Sequence, residues 1–117
     1  MKIREFYKNI QGDYDGTLAR MMKEERIAKY LGKFKDTDDY QNMLKALETG
    51  NIEEIFRFSH NLKGVSLNLG LSKLAESSSA FCELFRNGAP GIDYNELLEE
   101  VKKDYQDVLD NLKEIEL

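Results

Sequence analysis

At 117 residues, with 41% hydrophobic and 33% charged side chains, the chain has the size of one domain and enough apolar material to bury a core. That balance excludes a disordered segment, a collagen-like chain and a disulfide scaffold. Seventeen Lys and Arg against 22 Asp and Glu leave a net charge of −5, which argues against nucleic acid and anionic membrane surfaces as partners.

The periodicity is helical throughout. Ile3, Phe6, Tyr7 and Ile10 share one stripe of a short first helix that stops near Gly12. Leu18, Met21 and Met22 lead into Ile27, Tyr30, Leu31 and Phe34, again on one face. Asp36-Thr37-Asp38-Asp39 is a helix-start signal, because short polar side chains accept bonds from first-turn amides. The helix it opens carries Tyr40, Met43, Leu44 and Leu47 and ends at Gly50.

Asn51 and Glu54 resemble a capping box, so a helix over about 51–69 follows, with Ile52, Ile55, Ser59, Leu62, Ser66 and Leu69 inward. Gly70 stands where a left-handed residue closes a helix. Ser72 is placed to cap the next, over about 72–87, with Leu74, Ser78, Phe81 and Phe85 inward. The run Asn87-Gly88-Ala89-Pro90-Gly91 is the one strong breaker. Asp93 and Glu96 open the last helix, about 93–115, with Tyr94, Leu97, Val101, Tyr105, Val108, Leu112 and Ile115 buried. No stretch alternates with period two for long enough to predict a strand. Short links between amphipathic helices predict an all-α, up-down antiparallel four-helix bundle, with additional N-terminal helices over 1–50 packed along it.

The one cysteine, Cys82, cannot form an internal disulfide and falls near the buried stripe of its helix, so it reads as core in a reducing compartment. The N-terminus has no apolar signal core, and no apolar run approaches the roughly 18 residues of a membrane span. A cytoplasmic, membrane-free protein is the expectation.

The lone histidine, His60, lies about 160° from Leu62 on a helical wheel, hence on the outward side. Gly64 follows one turn later on that side, where close packing inside the bundle offers no reason for it, and a helical glycine costs about 1 kcal/mol relative to alanine. It leaves the surface low enough for another molecule to reach the imidazole. Phe56 and Leu67, apolar on the same side, suggest that the visitor is a protein surface. Lys63 can reach alongside the ring, where an ammonium suits an anionic group carried on nitrogen. Imidazole titrates near neutrality, so a neutral fraction stands ready as nucleophile. Taken singly, Lys63 reads as a solvated lysine, Gly64 as a tolerated defect, and Phe56 or Leu67 as residues tucked under the N-terminal helices. Their conjunction on one face points to a phosphorylatable histidine on a docking surface.

The segment Phe58-Ser59-His60-Asn61-Leu62-Lys63-Gly64-Val65-Ser66-Leu67-Asn68-Leu69-Gly70 resembles the signature of histidine-containing phosphotransfer (HPt) domains. Leu18, Leu31, Phe34, Leu44, Leu47, Gly50 and Ile55 before it, and Leu74, Ala75 and Glu83 after it, extend the resemblance from about Asp13 to Arg86. Ser59 departs from the alanine usual before the histidine, a change small enough to pack similarly. The resemblance implies that His60 accepts a phosphoryl group from one receiver-domain aspartate and passes it to another. Lys63 then supports the phosphoryl group, Gly64 makes room for the receiver, and Phe56, Leu67 and Arg57 belong to its docking face. The implied partners are response-regulator receiver domains and a (hybrid) sensor histidine kinase. Mg²⁺ is expected on the receiver and no cofactor on this chain.

With no nucleotide-binding motif, the chain is expected to relay phosphate without autonomous kinase activity. A carboxylate-bridged metal site fails because Arg57, not Glu, stands three residues before His60. A zinc site from His60 and Cys82 lacks ligands. The alternative of a different class is a helical adaptor that docks receiver or kinase domains without phosphotransfer. The starting methionine and a complete bundle favour a free-standing relay of one domain, 1–117, expected to be a monomer. A dimer built on a spare apolar face stays open.

Overall fold

The computed structural model describes residues 1–88 and 91–115, and within them every regular element is a helix. The elements are α1 (Ile3–Asn9), α2 (Tyr14–Met21), α3 (Glu24–Asp36), α4 (Asp39–Thr49), α5 (Ile52–Asn68), α6 (Ser72–Leu84) and α7 (Asn95–Leu112).

The apolar stripes meet in one core. Phe6, Tyr7, Ile27, Leu31, Phe34, Met43, Leu62, Phe81 and Val101 are fully buried, each large side chain contributing roughly 1.5–3 kcal/mol by leaving water. Helices α4 to α7 pack as sequence neighbours, end against opposite end. Asn61, midway along α5, reaches Asp39 at the start of α4. The Cys82 thiol near the end of α6 points at the Phe56 carbonyl near the start of α5. Lys73 at the start of α6 approaches Asp104 midway along α7, and Phe85 at the end of α6 meets Tyr94 just before α7. Tyr40 of α4 stacks on Tyr105 of α7 with ring centroids 3.8 Å apart, which brings the first and last of the four together. Helices α1 and α2 meet the end of the bundle where α5 and α7 finish, and the end of α3 reaches the middle of α7. Tyr7 bonds Leu69, the N-terminal ammonium bonds the Glu114 carbonyl, and Phe34 meets Tyr105.

Local signals account for most boundaries. Asp13 caps α2 by accepting from Gly16 N, and Asn51 caps α5 by accepting from Glu54 N. Beyond α5, Gly70 is left-handed (φ +69°), with Leu71 N donating to Ser66 O and Gly70 N to Leu67 O, the paired bonds of a Schellman ending.

Six sequence expectations are corrected. Met22 does not extend the apolar stripe: it is left-handed (φ 73°), 77% exposed, and separates α2 from α3. Tyr30 faces outward. Asp36 closes α3 instead of opening α4, and Asp38, which precedes α4, makes no side-chain cap bond. Ser72 is the first residue of α6 rather than its cap, a position held by Leu71. The last helix ends at Leu112, and its inward residue near the start is Leu98, with Leu97 and Tyr94 half-buried. Tyr94 precedes the helix, and from Val101 onward the expected stripe Val101, Tyr105, Val108 and Leu112 is buried. Of the breaker run, Ala89 and Pro90 lie outside the described residues, while Gly88 and Gly91 flank them with positive φ.

Candidate functional site

Helix α5 sets the site by fixing its own rotation. Ile55, Ser59, Leu62, Ser66 and Leu69 are buried, with Ile52 half-buried, as the inward stripe requires. Ser59, next to the histidine, is fully buried, and its hydroxyl donates to Ile55 O at 2.7 Å and Phe56 O at 3.1 Å. Serine therefore fits where a small side chain is wanted, its polar atom satisfied within the helix. With Ser59 turned in, His60 is turned out and exposed.

One turn earlier, the Phe56 ring lies nearly parallel to the imidazole, with centroids 5.7 Å apart and planes 17° from each other. Phe56 is thus not tucked under the N-terminal helices. The Arg86 guanidinium, from the turn that follows α6, covers the Phe56 ring at 5.3 Å. Arg86 in turn grips Glu83 through both carboxylate oxygens, Nη2–Oε1 being 2.6 Å and Nε–Oε2 3.0 Å. This hydrogen bond holds the Glu83 carboxyl below the usual carboxylate range, and the charges of Lys63 and His60 act on it in the same direction. The pair is exposed, so its worth is in orientation more than stability. The sequence pattern singles out neither Arg86 nor Glu83 for the site. The available signal was the three-residue Glu–Arg spacing near the end of α6, which becomes a site feature once α6 runs antiparallel to α5.

On the other side of His60 the surface opens. A side chain built at Gly64 would meet no atom within 4 Å, so nothing inside the molecule demands glycine there. Lys63 is half-buried and, with Leu67, borders a shallow groove floored on α6 by Ser72, Ala75 and Ser79. Leu67 is 56% exposed, although its backbone carbonyl is engaged by Arg20. Arg57 is exposed and its guanidinium lies over the Phe58 ring at 4.5 Å. Cys82 is fully buried behind Phe56, in keeping with a core residue. One helix therefore brings together a nucleophilic imidazole, an ammonium and an uncovered apolar surface. A second helix adds a carboxylate–guanidinium pair.

Among the described residues no group of three or more His, Cys, Asp or Glu is placed to hold a metal ion. No helix there is long and apolar enough to cross a membrane. Comparison with protein-family models matches residues 30–114 to the Hpt domain. Neither the comparison with curated proteins nor that with solved structures gives a match.

Proposed function

The chain belongs to the Hpt domain family, and on that premise we propose that it relays a phosphoryl group between receiver-domain aspartates through His60. Hpt domains serve phosphotransfer in two-component signalling, as phosphocarriers rather than kinases, with receiver domains and histidine kinases as partners. The observation that carries the assignment to His60 is the vacant surface beside it. The chain's only histidine is exposed, and the glycine one turn on has open space where a side chain would stand.

In the transfer, the lone pair of an unprotonated ring nitrogen of His60 forms a bond to phosphorus. The bond from phosphorus to the receiver's aspartate oxygen breaks, and its electron pair leaves with the carboxylate. The onward step runs in reverse, with another receiver's carboxylate as nucleophile and the imidazole as leaving group. The Lys63 ammonium stabilises the anionic oxygens in both directions. Phe56 stacks on His60 and holds the ring against free rotation, while Gly64 and Leu67 admit and seat the receiver, with Arg57 at the edge. The Mg²⁺ required belongs to the receiver's carboxylates, where it neutralises phosphoryl charge. The phosphate originates at a sensor histidine kinase, and the chain itself, a cytoplasmic monomer, uses no ATP.

Incubation with a phosphorylated receiver and Mg²⁺, followed by intact mass, tests this. The expected result is an acid-labile phosphoryl gain in the unsubstituted chain and none in His60→Gln. Measurable docking with no gain from any of several receivers would instead support an adaptor.

A further inference from the structure

The last turn of α5 carries Leu67, yet more than half of that residue is exposed. Helix ends leave carbonyls without partners inside the helix and fray unless other groups supply them. Here the first 20 residues add partners to the Gly70 N bond that Leu67 O already accepts. Arg20 Nη2 donates to Leu67 O and Asn68 O, both at 3.2 Å. The buried Tyr7 hydroxyl donates to Leu69 O at 2.6 Å, and Asp13 N donates to Gly70 O at 2.9 Å. Four consecutive carbonyls are thus closed by a segment lying before residue 30, where the family match begins.

The fit is close enough to need two glycines. A side-chain carbon at Gly12 would stand 2.7 Å from Gly70 O, and one at Gly70 would stand 2.6 Å from Asp13 O. A cation at a helix C-terminus also opposes the partial negative charge collected there.

We propose that Arg20 is a positioning residue for the docking surface: α1 and α2 cap the phosphoacceptor helix and hold Leu67 in register with Gly64 and His60. The proposal rests on the reading of α5 as the receiver-docking helix. Arg20 touches no reacting group; it acts through the backbone of Leu67 and Asn68.

Hydrogen exchange and receiver affinity, measured together on the full chain, test it. A receiver activated with beryllofluoride serves as probe. In Arg20→Ala the amides of Leu69, Gly70 and Leu71 should exchange roughly three- to tenfold faster, the loss expected for a charge-assisted bond. Those around His60 should be unchanged, receiver affinity should fall by a similar factor, and Arg20→Lys should restore most of it. Tyr7→Phe, nearly isosteric, should show the same pattern if Arg20→Ala folds poorly. Unchanged exchange, or faster exchange with unaltered affinity, overturns the proposal. Absence of docking by the unsubstituted chain overturns it too. An unsubstituted chain that docks but gains no phosphoryl mass removes the relay and leaves the positioning role standing.

Discussion

Helix α5 and the turn that closes it treat glycine in opposite ways. Around His60, Gly64 has empty space on every side where a side chain would stand. Six residues later Gly70 is left-handed and wedged against the Thr17 hydroxyl and the Asp13 carbonyl. The reason for Gly70 lies wholly inside the molecule, and the chain's own packing explains it. The packing supplies no such reason for Gly64, a residue that costs helix stability, and the proposed docking of a receiver would supply one. The proposed docking surface begins where internal explanation stops.

The contrast breaks most strongly at the closed end. Gly70→Ala combines a positive φ with a clash against backbone, and it should cost about 2–4 kcal/mol. Denaturant unfolding checks this, and a loss under about 0.5 kcal/mol would mean that α2 can move away freely.

The same end should respond to alkali. Burial pushes the Tyr7 hydroxyl from 10.0 up to about 12, so the folded state disfavours its ionisation. The unfolded chain gives up that proton first. The stabilising contribution is therefore whole below pH 10 and is lost as pH rises toward 12, by roughly 2–3 kcal/mol. A Tyr7→Phe chain should lack that part of the slope, although it begins less stable by the lost bond to Leu69 O. Parallel slopes for the two chains between pH 10 and 12 would assign the alkaline loss to other groups.

What could be read from sequence follows the range of the interaction. The inward stripe of α5, its Asn51 cap, the closing role of Gly70 and the outward placement of His60 all depend on helical geometry over a few residues, and each stands in the structure as expected. Met22 misled because its hydrophobicity continued the stripe while its backbone left the helix. Arg86 and Glu83 reach the site through the pairing of α6 with α5, which no local pattern encodes. Arg20 is more distant still, 47 residues in sequence from the carbonyl it caps. Composition marks it only as a surface arginine. Gly12 read as a helix stop, whereas its tighter constraint is the approach of Gly70 O.

The most direct test of the account is Gly64→Ala, measured for stability and for receiver-to-His60 transfer on one preparation. The methyl group meets no atom of the chain, so the helix should gain about 1 kcal/mol. The same methyl group should obstruct the receiver and slow transfer at sub-saturating receiver by about tenfold or more. Opposite signs from one substitution are the expected result. A chain that is more stable and transfers phosphate as fast as before would contradict the claim that this space is kept for a partner.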